Sequence, residues 1–571
     1  MRYVSCPQLY RPSALVLAGL MLPFPAAVLA QISRSVWDGV YTEGQASRGK
    51  TAYARQCANC HGADMRGGAE TPAITGDTFL AKWNNHSVDE LFESMRATMP
   101  ADRPGTLSRQ ESADLLAYIF AVNKLPAGTG ELSTSKEVLQ PLRLSPRVPS
   151  GSQSSAPAEA ASGSNSGSAG AAPVLEEGQP IERRPPEKRD NRPAFPEQTR
   201  APYHASAPFK VTTLIDKMPA PWSLAFLPSG KILLTHRLPG SIRILDTKGV
   251  LSEPVAGVAG LASPGAAGIG LLDVVLDPNF TSNHRIFFTF FDYIDGTDSN
   301  TYVARALLDE AKRALSDAKV IFRAQPAMPS KRLGAKTGGR IAIAPDGTLF
   351  VTTGDRSDSP PWDVAQRLDN HLGKVVHITA DGAPARDNPF LGKPGVLPEI
   401  WAYGLRNPEG LAFDPKTGRL WSNEHGPRGG DELNIIERGK NYGWPVIAHG
   451  IDYPGTPIGE GITHKEGMEE PVYYWDPVIA PSGLAFYTGS LFPQWQGSIF
   501  VGGLRAKLLD RLTIKNDKVV AEEPLLMDLQ SRIRDVRVGP DGAVYVLTDS
   551  SGSSMTPKTP LTSKLLKLTS R

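Results

Sequence analysis

The chain has 571 residues and 61.4 kDa, too long for one compact domain and suited to two or three. Lys and Arg number 61 against 59 Asp and Glu, a net charge of +2 that excludes the polyelectrolyte signature of a nucleic-acid binder. Gly (55) and Pro (50) are abundant while Cys is scarce (3), which favours short strands joined by turns and excludes a disulfide-dense scaffold.

At the start, Arg2 and Arg11 precede an apolar run from Ala14 to Ala30 that ends in Val28-Leu29-Ala30. A basic start, an apolar middle and a small-residue end predict a signal peptide over residues 1–30, hence a periplasmic or secreted protein. The run is short and broken by Pro23 and Pro25, which argues against a membrane anchor, and no later stretch has the roughly 20 apolar residues of a spanning helix. Cleavage would remove Cys6 and leave Cys57 and Cys60, three positions apart.

Residues 34–144 read as a small helical unit. Gly49 to Cys57 suits one helix, and Ser87 to Met99 carries Val88, Leu91, Phe92 and Met95 at helical spacing. Ser108 opens a third helix with Glu111 as the other half of a capping box, its apolar face running through Leu115, Leu116, Ile119 and Phe120. Residues 145–200 change composition abruptly, first Ser, Gly, Ala and Pro, then a charged stretch, and are expected to be a disordered linker.

Residues 201–571 repeat one pattern six times: an apolar strand, a turn, a second apolar strand. The six begin at Leu224, Val274, Ile341, Leu411, Gly483 and Val536. Six strand–turn–strand units without a convincing helix predict an all-β six-bladed propeller, with a large β-sandwich as the rival.

Cys57-Ala58-Asn59-Cys60-His61 is the covalent haem attachment motif. A zinc site would need two further ligands and a redox CxxC would not need the histidine. The sixth iron ligand is expected among Met65, Met95 and Met99: Met65 follows His61 too closely, Met95 lies on an apolar helix face, and Met99 ends its helix before Pro100. The unit, with Thr98-Met99-Pro100-Ala101, resembles small class I c-type cytochromes. That resemblance makes His61 and Met99 the axial pair of a haem c, and methionine ligation raises the potential relative to two histidines.

In the propeller, polar clusters stand at loop positions: Gly404-Leu405-Arg406-Asn407-Pro408-Glu409-Gly410, Asn423-Glu424-His425-Gly426-Pro427-Arg428, Asn441-Tyr442-Gly443-Trp444, and Arg532-Ile533-Arg534-Asp535. With Gly270-Leu271-Leu272-Asp273 and Gly339-Arg340, they resemble the soluble pyrroloquinoline quinone (PQQ)-dependent glucose/sorbosone or aldose dehydrogenases over roughly residues 210–570. The resemblance implies that Arg532 and Arg534 hold the carboxylates of PQQ, that Arg406 and Asn407 address the quinone edge, and that Arg505 stands where the glucose enzymes carry a lysine. The carbonyls of Gly426 and Pro427 would ligate calcium, a hard cation that accepts backbone oxygen.

Departures concern the base. Lys336 occupies the position of the family's histidine base, with Ala335 where an aspartate stands beside it, so Lys336 is a candidate base or only an electrostatic anchor. The expected function is a periplasmic quinohaemoprotein dehydrogenase: a sugar or other alcohol gives hydride to PQQ, and electrons pass to the tethered haem and on to an external acceptor. The competing expectation is a non-catalytic, ligand- or protein-binding propeller that carries an electron-transfer cytochrome.

Overall fold

A computed structural model describes residues 35–67, 71–76, 79–80, 83, 86–100, 103, 105–144, 175–237, 239–263, 266–294, 298–329, 335–356, 362–453, 455–551 and 562–571. The expected signal peptide and the first half of the expected linker lie outside them. None of the described helices is long and apolar enough to cross a membrane.

Three helices build the N-terminal unit: α1 (Glu43–Gln56), α3 (Val88–Thr98) and α4 (Arg109–Val122), with the one-turn α2 (Ala58–His61) after α1 and α5 (Lys136–Leu139) near the end. Helix α1 begins six residues before the expected Gly49, because Thr42 caps it by accepting from the Gln45 N–H. Both Ser87 with Glu90 and Ser108 with Glu111 form complete capping boxes, satisfying N–H groups that a helix start leaves without partners. The predicted apolar faces meet in one core of Leu91, Phe92, Leu115, Leu116, Ile119 and Phe120. Helix α1 crosses α4 closely enough that a Cβ on Gly49 would lie 1.8 Å from the Asp114 carbonyl, so only glycine fits there.

The six predicted repeats are the inner strand pairs of six sheets. These are β2 (Pro221–Phe226) with β3 (Ile232–His236), β5 (Ala266–Leu276) with β6 (Arg285–Ile294), and β10 (Gly338–Ile343) with β11 (Leu349–Thr353). The others are β14 (Pro408–Phe413) with β15 (Leu420–Glu424), β18 (Pro481–Phe486) with β19 (Ile499–Gly503), and β22 (Ile533–Val538) with β23 (Val544–Thr548). The first strands of successive pairs adjoin around a ring, and each sheet adds outer strands. The ring closes where β1 (Phe209–Met218) pairs antiparallel with the C-terminal β24 (Ser563–Ser570), outermost in the last sheet. This is a six-bladed β-propeller, and the sandwich reading is set aside.

Because the paired strands are antiparallel, the starts of all first strands and the ends of all second strands share one face. That face carries the polar loops. Arg340, on the third blade, is fully buried and touches four other blades: it reaches Asp273 at 3.3 Å, Asp535 at 3.0 Å and the Glu409 carbonyl at 3.0 Å, with its guanidinium 4.2 Å from the Trp222 ring.

The expected linker needs correction at its charged end. Residues 175–200 are a strap on the propeller. The Glu187 and Lys188 N–H groups donate to Asp476 at 2.8 and 3.1 Å, Asn191 donates to the His449 carbonyl at 2.8 Å, and Gln198 donates to the Pro471 carbonyl at 3.0 Å. Composition predicts a solvated chain here because it has no apolar face. The strap is instead held by its polar groups and by the outer edge of the fourth blade, strand β17 (Tyr473–Trp475), where Thr199 donates to the Tyr474 carbonyl.

Candidate active site

Cys57 ends α1 and Cys60 lies one turn on in α2; the sulfurs are not bonded to each other. Burial pushes the Cys57 thiol up to about 12, with Cys60 adding to the shift, which is the reverse of a reactive redox thiolate. The His61 Nδ1 is 2.9 Å from the Pro72 carbonyl, so it carries the proton and leaves Nε2 as the metal-facing nitrogen. Burial also holds His61 below its ordinary pKa, in the neutral form that ligates iron. These residues fit a covalent haem. Of the three methionines, Met65 is wholly buried in the core, whereas Met95 and Met99, like Cys57, are partly buried and pack against it. Met99 stands at the C-cap of α3, as expected.

On the propeller face, loop residues converge from four blades. Arg534 bonds Glu409 at 3.0 Å and lies 3.6 Å from Asp549; Arg532 approaches the same Asp549 at 3.7 Å. The two arginines alternate along one strand and do face one side. Burial lowers the pKa of Arg237, and Arg534 and Arg532 lower it further, so three guanidiniums crowd one carboxylate. Next to them, the Asn407 amide donates to Glu409 at 3.1 Å while its oxygen accepts from the Gly338 N–H at 3.1 Å. Arg406 donates to the His425 and Gly426 carbonyls at 3.0 and 2.8 Å, and its guanidinium lies 5.3 Å from the Trp444 ring. Lys336, 8% exposed, places its ammonium 3.5 Å from Asp355, whose other oxygen accepts from the Trp444 indole at 2.9 Å.

The charge balance of this cluster decides what it can hold. Arg237, Arg532 and Arg534 meet Asp549 and Glu409, Lys336 meets Asp355, and Arg406 lies beside them on the His425 and Gly426 carbonyls. Glu424 adds little charge, because burial pushes it up to about 8 despite the Arg406 and Asn407 N–H groups on its oxygen. A buried excess of cations is unfavourable alone and favourable around a polyanion. The arrangement fits a planar tricarboxylate such as PQQ.

Other expected residues are placed differently. Arg505 turns to the helical unit, donating to the Thr71 and Arg66 carbonyls at 3.1 and 3.0 Å. The Gly426 carbonyl serves Arg406, a cation that a divalent ion would displace; the Gly426 N–H donates to Asp431 at 2.8 Å. His425 is tied at both nitrogens, to the Pro481 carbonyl at 2.8 Å and beside the Asn407 amide at 3.5 Å. Sequence reasoning missed Arg237, Asp355 and Asp549. Their signal was the repeat itself: each directly follows, or lies within two residues of, the end of its blade's second strand, as do His425 and Arg505.

The comparisons agree with this geometry. The family model described as glucose/sorbosone dehydrogenase matches residues 218–556, and the one described as cytochrome c oxidase, cbb3-type, subunit III matches residues 44–119. The aldose sugar dehydrogenase YliI of Escherichia coli (strain K12) is 41% identical over 357 residues, 62% of this chain and 94% of the relative. A crystal structure of a glucose dehydrogenase is 44% identical with a TM-score of 0.57, covering 63% of this chain and 99% of that one. The PQQ-bound aldose sugar dehydrogenase of Streptomyces coelicolor is 30% identical with a TM-score of 0.51, covering 64% and 99%. With that family model matched over residues 218–556 of a six-bladed propeller, the chain belongs to the glucose/sorbosone dehydrogenase family of oxidoreductases.

Proposed function

We propose that the protein is an exported, periplasmic PQQ-dependent aldose dehydrogenase whose own cytochrome c unit takes the electrons and passes them to an external one-electron acceptor. The excess of buried cations around Asp549 and Glu409 carries this reading, because it suits a bound polyanion and little else. PQQ, when bound, supplies the hydride acceptor. Arg532 and Arg534 would hold its carboxylates, with Arg237 adding charge, and Arg406 and Asn407 would meet its quinone edge. Calcium is part of the proposal: the Gly426 and Pro427 carbonyls would take it once Arg406 moves onto the cofactor, so ion and tricarboxylate bind together.

Lys336 is the residue we assign to the sugar hydroxyl. As a base it must be neutral, and Asp355 at 3.5 Å opposes that, so proton abstraction by Lys336 becomes effective only as pH rises. Haem, when bound, supplies one-electron transfer; Cys57 and Cys60 would carry it, and His61 and Met99 would ligate its iron.

The test is reconstitution of the haem-loaded protein with calcium and PQQ, followed by an aldose and alcohol screen with the haem α-band as readout. Calorimetry with EDTA-treated protein measures calcium and quinone binding without turnover. Failure of any sugar to reduce either haem or an added dye overturns the dehydrogenase reading.

A further inference from the structure

We propose that the polar face of the propeller is a built docking surface for the chain's own cytochrome unit, clamped by Arg428 and Arg505 onto the loop that follows the haem motif.

The contacts lie on the haem loop. Arg428 reaches Asp64 at 2.6 Å, three residues past His61, and the same guanidinium bonds Glu187 of the strap at 2.7 and 2.9 Å. Arg505 donates to the carbonyls of Arg66 and Thr71. Thr71 directly precedes Pro72, whose carbonyl fixes the His61 ring. Gly62 packs against the loop at Tyr453: a Cβ there would lie 3.2 Å from the Tyr453 carbonyl, and its φ of 78° already favours glycine. The Tyr453 hydroxyl accepts from Arg406 at 3.4 Å, so one loop touches both the residue after the iron ligand and the site cluster.

The surface is prepared for this occupant. Arg428 is braced by backbone pairing with Ile451, and its carboxylate partner Glu187 is pinned through its N–H to Asp476. Arg428 is 12% exposed and Asp64 36%, so the pair is partly shielded from solvent and salt. Only thirty residues, 145–174, separate the helical unit from the strap. A tether that short gives a high effective concentration, so a few contacts suffice to hold the unit in place. The same tether explains why a guanidinium from the site cluster's own face is spent on backbone carbonyls: Arg505 secures the loop that carries the iron ligand's partner.

This inference rests on the proposed electron flow for its meaning and not for its geometry. Oxidation of one aldose to its lactone releases two electrons and two protons. One haem carries one electron at a time, so an external one-electron acceptor must reoxidise it twice for each aldose oxidised, and that acceptor meets the haem unit on a side the propeller leaves open.

The test uses the full-length haem protein reconstituted with calcium and PQQ, with Asp64→Arg against the parent and Asp64→Glu as the conservative control. With PQQ and calcium held at saturation, haem reduction by an aldose should slow at least tenfold in Asp64→Arg and stay near parental in Asp64→Glu, while oxidation of the same aldose by a phenazine dye is unchanged in both. Hydrogen exchange should be slow over residues 62–72 and 426–430 of the parent and fast in Asp64→Arg. Parental haem reduction together with parental exchange in Asp64→Arg overturns the docking. If no sugar reduces dye or haem, the dehydrogenase reading fails, and the exchange comparison still decides whether the unit docks.

Discussion

Arg532 and Arg534 allow cofactor binding to be separated from folding. Arg534 is 7% exposed at its side chain and sits between Glu409 at 3.0 Å and Asp549 at 3.6 Å. Arg534→Met removes the charge and leaves two buried carboxylates with poorer compensation, a change that typically costs about 3–5 kcal/mol. For a domain of this size that is roughly 5–10 °C in midpoint. Arg532 is 22% exposed, lies 3.7 Å from Asp549 and donates to the Leu504 carbonyl at 3.4 Å, so Arg532→Met should cost about 1 kcal/mol or less. Quinone binding should respond to both alike, since each loses one charge-assisted contact worth about 1.5–3 kcal/mol, or roughly ten- to hundredfold in affinity. Differential scanning calorimetry of the apoprotein and a quinone titration by fluorescence quenching give the two numbers. Equal midpoints for both variants would show that the buried pair with Glu409 is not what steadies this site. Parental quinone affinity in the double variant would refute the assignment of the cluster to PQQ.

Met99→Ala should remove the long-wavelength thioether–iron band and lower the potential, while Met95→Ala keeps both. Met65→Ala should also keep the band and destabilise the helical unit by about 2–5 kcal/mol, because Met65 is wholly buried. Lys336→Met should cut sugar turnover roughly a hundredfold or more and abolish a rate that otherwise rises with pH; a flat profile in the parent would make Lys336 an electrostatic anchor. His449 is 1% exposed, stacks on Tyr474 at 4.4 Å, and is pushed by burial down to about 3. Its folded pKa lies below the unfolded value, so its stabilising contribution is present above the ordinary range and is lost as pH falls. At about pH 5 the loss is about 2 kcal/mol, and urea titrations at several pH values should show His449→Phe losing that part of the acid slope.

The fold was legible because the propeller writes itself as repeated strand–turn–strand units, and each expected start falls within an inner strand. The helices were legible through their caps, with one boundary displaced because Thr42 supplies a cap earlier than the apolar pattern requires. Site residues with a motif around them, such as Arg406 and Arg534, were visible; their carboxylate partners were not. Asp355 and Asp549 have unremarkable local sequence, and only the blade repeat brings them beside Lys336 and Arg532. The strap was read as solvated because composition reports the absence of an apolar face. It cannot report that Asp476 and His449, 289 and 258 residues on, offer acceptors to backbone and amide donors.

The arginines divide the polar face by what lies opposite each. Arg534 and Arg532 face buried carboxylates on the axis, where charge is least screened and a polyanion gains most. Arg428 and Arg505 face the haem loop, where they meet one carboxylate and two carbonyls at the edge of solvent. Arg406 spans the two groups, touching the Gly426 carbonyl on one side and Tyr453 on the other. A cofactor that recruits Arg406 therefore alters the loop at Tyr453 against which Gly62 packs. Cofactor loading and cytochrome docking would in this way be linked through one side chain, and linkage is reciprocal in free energy. Quinone affinity should consequently change when docking is broken by Asp64→Arg, with no alteration of any residue that touches the quinone, and a two- to tenfold shift is within the usual range of such couplings. Identical quinone affinity in parent and Asp64→Arg, in protein where hydrogen exchange shows the unit released, would mean that Arg406 moves without the loop and that the two sites are independent.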